Sequence, residues 1–218
     1  MTTLLLAAGV LGPILFMVAS IVMGARRPSY KPVYTFISQL SLDGGGHWQV
    51  ANFVASGLLI SYGGIGLWAL SASAGIAPWA WGAVLVAGLG FILMGIFRDD
   101  PWLSYPPPDA PPGIGMPVSG SGWGHLLSAG LTGACLIGGA LVFASMFGSS
   151  GDPGWAGYSI ASAVLLPVFY GVGLASGWAS ATPGHWFAGY AGLFQRLAIG
   201  TGLLWVAAVA ARFLLSTI

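Results

Sequence analysis

Of 218 residues, 56% are apolar and 5% are charged, six Lys or Arg against five Asp. Soluble domains carry roughly 25% charged residues, so this balance excludes an ordinary soluble fold, and the lack of a basic face argues against nucleic acid as a partner. The single cysteine, Cys135, excludes an internal disulfide and a Cys-based zinc motif, and inside an apolar run it reads as a small packing side chain.

Repeated apolar runs of about 20 residues read as membrane spans. The first covers about Leu4 to Gly24; it lacks the charged start and cleavage motif of a secretory signal, so a retained span is expected. Arg26, Arg27 and Lys31 follow, then a loop reading Tyr34-Thr35-Phe36-Ile37-Ser38-Gln39-Leu40-Ser41-Leu42-Asp43-Gly44-Gly45-Gly46-His47-Trp48. Phe36 to Leu42 is too short to cross a bilayer. It is expected as an interfacial helix or a re-entrant turn ending at the glycine triplet.

The second span is Trp48 to Leu70, with Asn52 buried near its start, and the third is Pro78 to Phe97, with Pro78 in its first turn. Between Phe97 and His125 lies a loop with seven of the fourteen prolines and three of the five acids. It is expected to be a stiff, extended cover over a polar face.

The fourth span is His125 to Phe147, where Gly130, Ala134 and Gly138 suggest a close-packing face. The fifth is Trp155 to Trp178, with a kink expected at Pro167 and the same small-residue spacing at Gly173 and Gly177. The sixth is Leu193 to Leu215. The expected fold is all-α: one polytopic membrane domain over residues 1–218, a bundle of six transmembrane helices. Trp48, Trp79, Trp123, Trp155, Trp178 and Trp186 fall near span ends, as an interfacial aromatic belt requires. The Lys and Arg count favours odd-numbered loops in the cytoplasm and both termini outside.

Six spans put all three histidines, four of the five aspartates and five of the six basic residues at one membrane face. His47, His125 and His185 each follow a glycine at or just before an even-numbered span. Three imidazoles with Asp43, Asp99 or Asp100 have the donor types of a zinc site with an open position for water. The same histidines also read as interfacial anchors at headgroup level, or as members of a binding or gating site without metal. Bis-histidine haem fits poorly, because the histidines sit at span ends. Arg98-Asp99-Asp100 reads as a self-compensating span end. It also reads as belonging to a cross-bundle network in which Arg98 and Arg196 pair with Asp99, Asp100 or Asp43, or as an acid pair sharing a proton.

Several short motifs recur in one known family. They are Ile37-Ser38-Gln39-Leu40, Gly95-Ile96-Phe97-Arg98-Asp99, Gly124-His125-Leu126, and Gly192-Leu193-Phe194-Gln195-Arg196 followed by Trp205 and Arg212. Together they resemble the bacterial integral membrane protein family called domain of unknown function 998, over nearly the whole chain. The resemblance implies six or so membrane helices without an assigned activity. It gives weight to Ser38, Asp99, His125, Gln195 and Arg196. The long Pro-rich insert between Asp100 and His125 departs from the family pattern.

The near absence of charge, the glycines and the minimal loops favour a non-catalytic accessory or structural subunit. Such a subunit would contact lipids and other membrane subunits, and a bacterial inner membrane is expected. The alternative is a metal-dependent enzyme acting on a lipid or isoprenoid at the bilayer interface. Its catalytic candidates are His125, Asp99, Asp100, Arg98, Arg196 and Ser38, and its zinc candidates are His47, His125, His185 and Asp43. A transporter is less favoured, for want of a mid-span charge or an inverted repeat.

Overall fold

The structure is a computed structural model that describes residues 1–217. Its helices are α1 (Thr2–Ala25), α2 (Gly46–Ala69), the single turn α3 (Ser71–Ala74), α4 (Pro78–Ile96), α5 (Gly120–Ser149), α6 (Pro153–Ala179) and α7 (Ala191–Leu215), with a 3-10 turn at Ser38–Ser41. Six of these are long and apolar enough to cross a membrane, and among the described residues no strand forms. The protein is an all-α integral membrane protein, and its spans imply contact with lipid.

The expected spans match these helices within a few residues. The largest difference is at α5, which starts at Gly120 rather than near His125. Ser119 caps it, its hydroxyl accepting from the Gly122 amide at 2.8 Å, which satisfies one of the orphan donors of a helix start. Asp152 caps α6 in the same way, through the Trp155 amide at 3.3 Å, and is followed by Pro153. The segment around Phe36 to Leu42 holds a 3-10 turn whose residues Ser38 to Ser41 are all buried. Gly46 opens α2 directly against the Ser41 carbonyl, where any side chain would collide.

The helices pack as a closed ring. α1 lies against α2 and α7, α2 against α4, α4 against α5, α5 against α6, and α6 against α7. The α1–α2 and α2–α4 contacts are close because glycines meet backbone to backbone. A Cβ on Gly63 would sit 2.5 Å from the Gly9 Cα, and one on Gly57 would sit 2.6 Å from the Gly88 carbonyl oxygen. Without a hydrophobic force between helices in lipid, such approaches supply the packing contacts. Buried polar groups join the same helices: Asn52 donates to the Phe16 carbonyl and to the Ser20 hydroxyl, each at 3.2 Å.

The close-packing face expected on α5 is not formed. Cβ atoms on Gly130 and Gly138 would meet nothing within 4 Å, because both lie on the exposed side of α5. On α6 the expectation is met at Gly173, which lies against the first turn of α7, whereas Gly177 lies against Ile114 of the α4–α5 loop.

The two halves of the ring interior differ. Toward the α5–α6 loop it is filled by Phe143, Phe147, Trp205 and Phe213 in mutual ring contact, with the Trp205 indole N–H donating to Ser159 Oγ at 3.1 Å. At that end Arg212 pairs with Asp152 at 2.7 Å and lies over the Phe147 and Trp155 rings. The other half is hollow.

Gly63→Val is expected to destabilise the detergent-solubilised protein by roughly 1–3 kcal/mol through overpacking at the α1–α2 crossing. Gly138→Ala is expected to stay within about 0.5 kcal/mol of wild type. Thermal unfolding followed by circular dichroism in one detergent compares the two, and equal midpoints would contradict the packing described.

Candidate functional site

The hollow half of the ring is closed by the α1–α2 loop, which is folded inward. An inward loop carries backbone carbonyls that need donors, and two arginines supply them. Arg27 donates to the Leu40 carbonyl at 2.5 Å and pairs with Asp43 at 3.1 Å. Arg196, in the first turns of α7, donates to the Pro32, Thr35 and Gly192 carbonyls at 2.5, 2.9 and 2.9 Å and to the Tyr30 hydroxyl. Tyr30 passes the chain on, its hydroxyl donating to the Phe36 carbonyl at 3.0 Å. Burial pushes the Tyr30 phenol above its ordinary value, against the opposing effect of the Arg196 guanidinium. Gly192 has no room for a side chain against the backbone of Pro32 and Thr35.

Gln39 then ties this loop to the α4–α5 loop. Its side chain is fully buried. Its Nε2 donates to Asp99 Oδ2 at 2.9 Å and to the Asp100 carbonyl at 3.0 Å, and its Oε1 accepts from the Trp102 amide at 2.9 Å. The Ser38 hydroxyl also donates to Asp99 Oδ2, at 2.8 Å. Gln195 of α7 accepts from the Ile37 amide at 2.7 Å. The Ile-Ser-Gln stretch is thereby held from two sides, and Asp99 is fixed at the end of α4.

Asp100 turns the other way. Its Oδ2 accepts from the amides of Val118 and Ser119 at 2.7 and 3.1 Å, just ahead of α5. Burial alone would raise its pKa, but the Ser119 hydroxyl and these two amides outweigh burial and hold it below the usual carboxylate range. The positive end of the α5 dipole acts in the same direction. His125, one helical turn into α5, is buried with its Nδ1 2.8 Å from the Phe97 carbonyl and 3.2 Å from that of Met94. Only carbonyls face this nitrogen, so it carries the proton and donates, covering the last carbonyls of α4.

These residues surround one end of a cavity of about 550 Å³. Its polar end has Ser38, Asp99, His125, Tyr170 and Gln195 on the wall, and no Lys or Arg lines it. The rest of the wall is apolar, from Phe16, Phe53 and Phe91 on one side to Leu136, Leu166 and Leu203 at the floor. α5 and α6 contribute facing strips, Leu126 to Ile137 and Leu166 to Trp178. The pair is packed at its connecting loop, where the Phe147 and Trp155 rings lie 5.7 Å apart. Farther along, Cβ atoms on Gly130, Gly133 and Gly171 would meet nothing within 4 Å. At the mouth the α4–α5 loop enters as a wedge, with Ile114 against Gly177 and its amide donating to the Gly177 carbonyl at 3.2 Å.

That Pro-rich loop covers the polar face, as expected, but it is folded back rather than extended. The Leu103 amide donates to the Gly113 carbonyl at 3.3 Å and the Ser104 amide to the Pro111 carbonyl at 2.8 Å. The Tyr34 hydroxyl also bonds the Pro112 carbonyl.

The zinc set is not brought together. His47 and His185 are exposed, each beside the ring of the tryptophan that follows it, while His125 is buried on the carbonyls of α4. Asp43 is committed to Arg27 and to the Tyr105 hydroxyl. Among the described residues no three His, Cys, Asp or Glu side chains group to hold a metal ion. The physical reason is that the three lie apart, His47 at the start of α2, His125 one turn into α5 and His185 in the loop after α6, and only His125 is buried. The cross-bundle pairing of Arg98 and Arg196 with the acids is likewise not formed. Arg98 is exposed, and Arg196 is consumed by carbonyls. Asp99 and Asp100 do not share a proton, since an amide, not the other carboxyl, meets each of them.

Of the candidates, Ser38, Asp99 and His125 meet at the cavity, joined by Gln195, while Arg196 and Asp100 stand behind as supports. Sequence reasoning missed Gln39, although it lies inside the Ile-Ser-Gln-Leu motif. It also missed Tyr170, whose signal was a polar aromatic in an otherwise apolar span. Tyr105 was not singled out either; burial and the Asp43 carboxylate push its phenol up to about 12.

In comparison with known proteins, the model of the family described as Protein of unknown function (DUF998) matches residues 10–212. No curated protein and no solved structure matches the chain.

Asp100 has its pKa lowered in the folded state. Its contribution is therefore present above the unfolded value of about 3.9 and is lost as pH falls through the lower folded value. Asp100→Asn is expected to lower stability by roughly 1–2 kcal/mol at pH 7, with the gap to wild type closing as the pH is taken below about 4. Thermal midpoints across that range check this; a gap that stays constant with pH would contradict it.

Proposed function

The chain belongs to the family Protein of unknown function (DUF998), and we propose that it binds a single-tailed amphiphile taken from the bilayer, with the tail in the cavity and the head at Ser38, Asp99 and Gln195. The observation that carries this reading is the apolar cavity with one polar end, walled in large part by α5 and α6. Its volume of about 550 Å³ lies in the range of small-molecule sites, roughly 300–1,000 Å³. From His125 to Ile137 the α5 wall runs about 18 Å at the helical rise. One leaflet of a bilayer with a hydrocarbon core of about 30 Å is close to 15 Å deep, so the wall matches the length of one tail.

The reading supports a lipid-handling role over that of an accessory subunit. A subunit that acts only by packing gains nothing from a hollow interior, since filled interiors are the stable ones. The site also differs from that of a metal-dependent enzyme, because its polar end has one carboxylate, one histidine and amide or hydroxyl groups rather than a ligand set. Binding is proposed, and no chemical step is assigned.

The test is native mass spectrometry of protein extracted in mild detergent, with Gly133→Trp beside wild type. Gly133 lies on the cavity wall with open space at its Cβ, so tryptophan there fills the cavity without displacing a helix. Wild type is expected to retain one amphiphile per chain, and the variant is expected to lose it with an unchanged thermal midpoint. Equal retention by both, or none by wild type, would overturn the reading.

A further inference from the structure

We propose that Asp99 selects the head group, and that the amphiphile carries a protonated amine. This rests on the amphiphile reading above and adds a charge to it.

Among the described residues the cations near the polar end are all committed or turned away. Arg27 is paired with Asp43. Arg196 holds three carbonyls and the Tyr30 hydroxyl, and Arg98 is exposed. Among these residues the only two ion pairs are Arg27–Asp43 and Arg212–Asp152, so Asp99 has no basic partner there. The other titratable groups on the cavity wall are His125, whose Nδ1 serves the α4 carbonyls, and the Tyr170 phenol.

The carboxylate is held but not filled. Oδ2 accepts from Ser38 and Gln39, and Oδ1 accepts from the Asp100 amide at 2.9 Å. A carboxylate offers about four acceptor positions, so one remains, on a group fixed in place and lying on the cavity wall. An ionisable residue at the edge of a membrane interior ordinarily pairs with another charge or marks a ligand path. Here the protein supplies no partner among the described residues, and a cationic head seated at the polar end of the cavity would supply one. An anionic head would meet the carboxylate without a compensating Lys or Arg. A primary amine fits the geometry better than a quaternary one, because it has N–H groups to give to the remaining acceptor position and to the Gln195 and Ser38 oxygens.

The experiment uses the purified full chain in nanodiscs. The probe is tetradecylamine carrying a photoreactive group in its tail, and cross-links are mapped by peptide mass spectrometry. Unlabelled tetradecylamine, tetradecanol and tetradecyl sulfate compete, so the tail is constant and only the head changes. Labelling is expected on α5 and α6 cavity residues, with the amine competing at least about tenfold better than the alcohol and the sulfate. In Asp99→Asn the amine is expected to lose that advantage, while the matching photoreactive alcohol still labels the cavity, which shows that the variant is folded. Cavity labelling with no preference among heads, or with the sulfate preferred, overturns the head-group assignment and leaves the amphiphile reading standing. No cavity labelling by any probe in wild type overturns both. If the variant does not fold, the competition series in wild type still decides.

Discussion

The side chain of Gln39 is the joint on which the polar end of this protein depends. An amide has two donors and a carbonyl oxygen, and here one donor group serves Asp99 and the Asp100 carbonyl while the oxygen serves the Trp102 amide. It thereby links a loop from one side of the ring to a loop from the other. In lipid surroundings every such group must find its partner within the protein, and a buried amide left with one partner missing would cost more than the bond returns. Arg196 has a similar role farther out, meeting the carbonyls that the inward fold of the loop would otherwise strand.

Around that joint the ring divides its work. The half near the α5–α6 loop is closed by aromatic rings and by the Arg212–Asp152 pair, and it behaves as an ordinary packed core. The half near the Pro-rich loop holds the cavity, and on its wall Gly130, Gly133 and Gly171 have open space where a Cβ would be. At Gly9, Gly57, Gly63 and Gly88 glycine brings backbones together; at Gly130, Gly133 and Gly171 it leaves room. The same residue type thus has opposite effects on the two sides of one bundle.

This division explains what is legible in the sequence. The six spans follow from hydropathy and length alone, and their ends from Pro78 and the tryptophans. The concentration of polar residues on one face follows from counting loops. What does not follow is which polar groups meet. His47, His125 and His185 look equivalent in the sequence, each after a glycine, yet only His125 lies where a helix end offers it carbonyls. Gly130 and Gly138 have the spacing of a packing face, but spacing along one helix does not say whether a second helix is there. Gln39 escapes notice because an uncharged amide draws little attention in a chain read for charges. Ser38, Asp99, Gln195 and Arg196 are marked by the family resemblance, and the structure supplies the reason they occur together.

The contact of Ile114 with Gly177 has a consequence for how the bundle holds together. The α4–α5 loop is bound to α6 at Gly177 and to the α1–α2 loop through Tyr34 and Gln39. One connection thus ties together three parts of the ring that lie far apart in the sequence, so a cut within it would release all of them at once.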